Sequence, residues 1–336
     1  MTEAKEIQSA ALVIDGLSYH ADGYTGDLRQ GGVNALNVTV CNFEADYAEA
    51  CDRTAEWLSR VRAPDCEWML IDRASDFDSA RRADRIGMIM GWQNMRPVAD
   101  RLDRLHLFHR LGVRVMQITY NYRNFMGDGC LETEDSGLSV LGRDAVKVMN
   151  ELGIAIDLSH VGDKTTRDTI ELSDKPVLAT HANARAVVDL PRNKPDDIIK
   201  AIADTGGVIG ASVYGPMLWD GDPKRQPTID DFVQQLEYLV ELVGIEHVGF
   251  GTDLPASNDL QRTAYAAANR RLWTGISSYG DAFGHDIPAR YAENCNSHAK
   301  LPNVTEALCA RGWRAADIEA YLGGNFARAF SEIWGG

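Results

Sequence analysis

The chain has 336 residues, longer than the roughly 100–200 of a common domain but within reach of an α/β barrel, which often exceeds ~250 residues as one unit. Its hydrophobic content of 45% and charged content of 25% are those of an ordinary soluble globular protein. A net charge of −15 argues against nucleic acid or an anionic membrane as the main partner.

The N-terminal stretch MTEAKEIQSA is polar and acidic, with no apolar signal region, and no later apolar run nears the ~20 residues of a membrane span. Strand candidates follow at Leu12–Asp15, Ala35–Val40, Gly87–Trp92, Val113–Thr119, Ala155–Leu158, Val177–Thr180, Val208–Val213 and Val248–Gly251. They are apolar throughout rather than alternating, the pattern of strands buried on both faces in a parallel sheet. Helical patterns lie between them. Asp100–Leu111 carries leucines at 102, 105, 107 and 111 before Gly112, and Leu141–Leu152 ends at Gly153. Pro195-Asp196-Asp197 opens a helix with a proline and acids in its first turn, and Ile229–Val243 stops at Gly244. The β-α order repeats about eight times and predicts a single (β/α)8 TIM-like barrel over residues 1–336, with an open doubly wound sheet as the alternative. Residues 255–300 break the regularity and read as a long excursion over the barrel mouth, either a lid or a packing insertion. Six scattered cysteines without a C-x-x-C pair point to reduced thiols and a cytoplasmic protein.

Barrel chemistry sits at the C-terminal ends of the strands. There stand Asp15, then Gln93 and Asn94 after Trp92, then Thr119-Tyr120-Asn121, Asp157-Leu158-Ser159-His160, Thr180-His181-Ala182-Asn183 and Gly251-Thr252-Asp253. His160 and His181 end consecutive strands. Neighbouring strands lie about 5 Å apart, so the two imidazoles can converge on one ion, with Asp253 across the barrel. Zinc suits such a donor set, and a satisfied structural pair is the competing reading. The remaining histidines carry less. His106 and His109 share a helix face as solvated or helix-end residues, His247 precedes the last strand at the opposite end, and His285 and His298 lie in the excursion. Trp92 either walls a pocket or fills the core. Cys130, within Gly127-Asp128-Gly129-Cys130, belongs to loop geometry rather than nucleophilic chemistry.

Several stretches together resemble the membrane dipeptidase (renal dipeptidase, peptidase family M19) family of zinc peptidases. They are Thr-Tyr-Asn-Tyr-Arg-Asn (119–124), Gly-Asp-Gly-Cys-Leu-Glu (127–132), Asp-Leu-Ser-His-Val (157–161), Ala-Thr-His-Ala-Asn (179–183), Arg-Asn-Lys-Pro-Asp-Asp (192–197), Gly-Phe-Gly-Thr-Asp (249–253) and Gly-Gly-Asn-Phe-Ala-Arg (323–328). The resemblance implies a metallohydrolase barrel and a homodimer. In two-zinc members a first-strand His-x-Asp serves one ion, a glutamate bridges both, and two histidines serve the other. An aspartate on the last strand carries protons, and an arginine grips the substrate carboxylate. His160, His181, Arg192 and Asp253 match that pattern. Leu17 and Tyr19 stand in place of the first-strand pair, Gln93 in place of the bridging glutamate, and Tyr120 in place of a substrate-contacting histidine. The sequence is similar here to a bacterial branch with Gly-[Phe/Trp]-Gln-Asn and Asp-Gly-Leu at these places. The departures imply one zinc per chain, held by His160 and His181 with Gln93 or Asp253 as third ligand. His20 and Asp22 would rebuild the second site only through a loop bulge, and otherwise sit on the loop surface.

Three functions remain open at this level. A mononuclear hydrolase would act on a dipeptide-like, N-acyl or modified amino-acid substrate bearing a carboxylate. Asp253 would be its proton carrier, Tyr120 or Asn121 its oxyanion donor, and Arg192 its carboxylate clamp. Tyr19 and Trp92 complete its substrate-contacting candidates. A tautomerase, lyase or isomerase of an amino-acid derivative would need only Asp253, Tyr120 and a Lewis acid. A non-catalytic binder gains ground if Arg192 merely pairs with Asp196 or Asp197.

Overall fold

Ten strands, all paired in parallel, make one sheet in a computed structural model that describes residues 2–19, 21–218, 225–257 and 290–335. They are β1 (Ile14–Tyr19), β2 (Ala35–Thr39), β3 (Trp68–Leu70), β4 (Ile86–Trp92), β5 (Val113–Gln117), β6 (Ala155–Asp157), β7 (Leu178–Ala179), β8 (Val208–Ala211), β9 (Val248–Phe250) and β10 (Leu254–Pro255). The path runs β10-β1-β2-β4-β5-β6-β7-β8-β9, with β3 set against the lower half of β4. β9 pairs with β8, and three residues later β10 pairs with β1. The two segments act as one last strand, and the sheet closes on itself. Nine of the ten strands, all but β3, form the ring, and with β9 and β10 counted as one they make the eight staves of a TIM-like barrel.

All eight predicted strands are present. β3 and β10 are additions to the predicted set. The helices also lie where their signals placed them. Ile229–Val243 begins at a capping box, in which Thr228 accepts from the Asp231 backbone and the Asp231 carboxylate accepts from the Thr228 N–H at 2.7 Å. Val140–Leu152 ends at Gly153 in the left-handed conformation. Pro195 is the N-cap rather than the first helical residue of Asp196–Asp204.

The barrel interior changes character along its axis. Ile14, Ala35, Ile89, Val115, Ala155, Leu178 and Val208 form one apolar cluster, closed from below by Phe326 and Phe330 of the helix Asn325–Trp334. Strand side chains alternate, so the residues two positions further on share the same inner face. These are Gly16, Asn37, Gly91, Gln117, Asp157, Thr180 and Gly210. An apolar floor thus gives way to an upper layer of polar side chains and glycines. A Cβ on Gly210 or Gly251 would meet the Thr180 carbonyl oxygen at 2.0 or 1.8 Å, so glycine there lets β8 and β9 close around β7. Among the described residues no helix is long and apolar enough to cross a membrane. Of the predicted excursion over 255–300, residues 258–289 lie outside the described residues.

Candidate metal centre

β6 and β7 each deliver one imidazole to the mouth, and His160 Nε2 lies 3.0 Å from His181 Nε2. The other nitrogen of each ring is already engaged. His160 Nδ1 meets Asn121 Oδ1 at 2.8 Å, an atom that can only accept. His181 Nδ1 meets Thr180 Oγ1 at 2.9 Å, and that hydroxyl donates onward to Asp157 Oδ2 at 2.7 Å. Each Nδ1 therefore carries the proton, and both Nε2 lone pairs face each other. Burial, reinforced by the Arg192 guanidinium, holds both histidines well below their ordinary pKa, so the rings are neutral. Two facing lone pairs repel unless a cation lies between them. Zn–N bonds of ~2.0–2.1 Å in tetrahedral array would separate the nitrogens by about 3.3 Å, close to what is found. The pair fits a metal through its nitrogens and its outer hydrogen bonds.

The third ligand is not gathered. Among the described residues no group of three or more His, Cys, Asp or Glu side chains is placed to hold an ion. Gln93, at the end of β4, donates its amide to Thr39 Oγ1 at 2.9 Å, leaving its carbonyl oxygen as the donor atom for a metal. Asp253 sits between β9 and β10 with a left-handed φ of 58°, rare for a residue with a side chain. Its N–H donates to Leu17 O at 3.1 Å, and its carboxyl makes no hydrogen bond or ion pair among the described residues. Desolvation pushes its pKa up to about 7, opposed by Arg192 and reinforced by Asp15 and Asp157.

Several predicted roles take a different shape. Arg192 is buried, and its two terminal nitrogens donate to the backbone carbonyls of Ser159 and His181. It clamps the two histidine loops, and its charge, rather than an open fork, faces the site. It does not pair with Asp196 or Asp197: Asp196 accepts from Tyr238 at 2.8 Å, and Asp197 pairs with Arg167. Asn121 is the orienting acceptor of His160, with its Nδ2 buried and unpartnered among the described residues. Trp92 packs edge-on against Phe108 at 4.3 Å, between barrel and helix, and so fills the core. Tyr120 stacks between Phe43 (4.1 Å) and His160 (4.0 Å), which fixes the imidazole plane. Tyr19 shares a 2.6 Å hydrogen bond with the Tyr291 hydroxyl, whose pKa burial and Tyr19 raise well above the ordinary value. Asp22 is exposed and accepts from the Tyr24 N–H and the Ser257 hydroxyl; His20 lies outside the described residues.

The sequence reading missed one pair. Asp15, fully buried, accepts from the Leu17 and Thr252 N–H groups through Oδ1 and from the Thr252 hydroxyl through Oδ2. His298 Nε2 lies 3.0 Å from the same Oδ2. Asp157 repeats this pattern, accepting from the Ser159 and Thr180 N–H groups and the Thr180 hydroxyl. The signal lay in the shared sequence form: an apolar strand ending in aspartate, with a threonine at the end of a partner strand. The 128–130 loop reaches the site because Gly129 has no side chain; a Cβ would sit 2.2 Å from the Asn121 backbone. Burial raises the pKa of the neighbouring Cys130 thiol, contrary to what a nucleophile needs.

The chain belongs to the membrane dipeptidase family (peptidase family M19), whose sequence model matches residues 24–262. The dipeptidase tcpJ of Claviceps purpurea is 27% identical over 263 residues, covering 78% of this chain and 54% of that protein. The chain spans about half the length of the curated relatives it matches. An amidohydrolase from Pseudomonas aeruginosa superposes with a TM-score of 0.87 at 31% identity, covering 100% of both chains. A Rhodobacter sphaeroides metallopeptidase, liganded with a phosphinate mimic of the dipeptide L-Ala-D-Ala, gives a TM-score of 0.79 at 20% identity over 96% of this chain and 99% of that one. This last likeness is one of fold.

Proposed function

We propose that the protein is a dipeptidase-like metallohydrolase with one metal ion per chain, zinc by its donor set, acting on a dipeptide-like, N-acyl or modified amino acid that carries a carboxylate. The observation that carries this reading is the pair of facing Nε2 atoms at 3.0 Å, each with its Nδ1 proton committed to an acceptor. His160 and His181 would hold the ion, with Gln93 or Asp253 completing the protein ligands. When bound, the ion would polarise the scissile carbonyl and acidify water.

The chain's own groups supply the rest. Asp253, with a pKa near neutrality, takes a proton from water and returns it to the leaving amine. Tyr120 fixes the His160 ring, Asn121 and Thr180 fix the tautomers, and Arg192 adds positive charge opposite a substrate carboxylate. Tyr19, at the end of β1, is hydrogen-bonded to Tyr291, whose hydroxyl burial keeps protonated. Acting in the cytoplasm as a homodimer belongs to the same reading.

A second reading rests on Asp253: a carboxyl that titrates near 7 also suits proton transfer in a tautomerase or lyase. Turnover in H218O separates the two, since hydrolysis places solvent oxygen in the product carboxylate and isomerisation does not. The metal reading is tested by metal analysis of protein purified without added metal. About one equivalent, lost in His160→Ala and in His181→Ala, is expected. Two equivalents, or none in the wild type, would sink the single-ion reading.

A further inference from the structure

A groove of about 800 Å³ opens on the mouth side, between the loops that follow β2, β4 and β5. Its volume lies within the range of small-ligand pockets, roughly 300–1,000 Å³. It meets the metal centre at Tyr120 and Asn121, which line it and also touch His160 by ring stacking and by hydrogen bond. Of the five exposed large hydrophobic residues among those described, three line this groove: Tyr47, Tyr122 and Phe125, the last 57% exposed. Exposed aromatic side chains gathered in one concavity mark a binding surface. The Arg104 guanidinium lies 4.1 Å over the Tyr47 ring and holds that wall in place. The other charged groups of the lining are largely paired, Arg96 with Glu44 and Arg123 with the buried Asp128, so the aromatic side chains set its character. Beside these, the amide Nδ2 of Asn121 is buried and has no partner among the described residues.

We infer that this groove is the specificity subsite for an aromatic side chain of a carboxylate-bearing acyl-amino-acid or dipeptide ligand whose reacting group lies at the histidine pair. Phe125 and Tyr122 flank the ring. The inference rests on the proposed function for the ligand's reacting end, but the groove can be tested without turnover.

The test compares N-acetylphenylalanine with N-acetylalanine by isothermal titration on the purified metal-containing protein, then repeats it on Phe125→Ala and Tyr122→Ala. Filling the groove with a phenyl ring should favour the aromatic probe by ~10-fold or more. Both variants should reduce that preference to about 3-fold or less, with affinity for the alanine probe unchanged. Equal or undetectable binding of the two probes by the wild type would overturn the inference, as would a preference that survives both substitutions. Sedimentation of the same samples adds another arm. A variant that loses self-association while keeping the aromatic preference would make the groove an interface between copies and overturn it too. A chain that discriminates the probes but hydrolyses no dipeptide would retain the subsite and refute the dipeptidase reading instead.

Discussion

Replacing Thr180 with valine keeps the side-chain shape and removes one hydroxyl. That hydroxyl donates to Asp157 Oδ2 at 2.7 Å and receives His181 Nδ1 at 2.9 Å, all within a buried layer. Two hydrogen bonds are lost, at about 1 kcal/mol each, and stranding a buried donor and a buried acceptor costs more, so Thr180→Val should destabilise by about 2–4 kcal/mol. The ring has one escape. Moving its proton to Nε2 relieves the stranded Nδ1–H and gives an N–H···N bond to His160 across the 3.0 Å gap. That tautomer cannot ligate a metal through Nε2. Metal affinity should therefore fall by about 10–100-fold, the usual effect of losing an outer hydrogen-bond partner of a metal ligand. Competition against a chromophoric chelator reads the affinity, and urea unfolding reads the stability. Thr180→Ser, which keeps the hydroxyl, should restore both. A valine variant with wild-type metal affinity and an unchanged urea midpoint would refute the tautomer argument at its root.

Two more outcomes follow from buried carboxyls. Asp253, raised from 3.8 to about 7, holds its proton more tightly in the folded state, so its contribution to stability is fully present below about pH 4 and is lost as pH rises through about 7. Asp253→Asn should flatten stability over that window. It should also lower kcat by about 100-fold or more and abolish the rise of activity through pH 7, since only the carboxylate can accept a proton; a variant with an intact pH profile would acquit this residue. Asp15→Asn places an amide N–H₂ where the Thr252 hydroxyl and His298 now converge, or takes away an acceptor of two backbone N–H groups. It should cost about 2–4 kcal/mol in urea unfolding, and a loss under 1 kcal/mol would show that the pair is not structural.

The eight predicted strands were legible because each is buried on both faces and so reads as a continuous apolar run. Glycines 153 and 244 made helix ends equally plain. β3 lies in the four-residue apolar run Trp68–Ile71, which a sequence reading could have taken as a strand, whereas β10 spans two residues, includes Pro255 and makes no pattern. The histidine pair was visible from position alone. Its distant support was not, because hydrogen bonding across a barrel leaves no local trace: Asn121 and His160 are 39 positions apart, and the separate Asp15–His298 pair is 283 apart. Asn121 and Arg192 were read as facing the substrate. The folded chain turns both toward the histidine loops, since a buried amide and a buried guanidinium first find the nearest acceptors or donors.

The charges around the mouth also bear on how many ions it can hold. Arg192 and Lys194 are both buried beside the histidines, and burial lowers the Lys194 amine to about 8. Lys194 still donates to Val161 O at 2.6 Å. Against them stand neutral imidazoles, the neutral amide of Gln93, and the carboxyl groups of Asp15, Asp157 and Asp253. Asp15 and Asp157 are already saturated by backbone and hydroxyl donors. Leu17 is buried on β1 and offers no ligand, and the Tyr19 phenol is bonded to Tyr291. A pair of close dications needs an anionic bridge to offset their repulsion, and an amide at position 93 supplies none. A single dication can be balanced by Asp253 and, through Thr180 and His181, by Asp157. Under the proposed single-ion reading, the neutral side chains of Leu17, Tyr19 and Gln93 leave Asp253 as the uncommitted carboxyl that would balance an ion at His160 and His181.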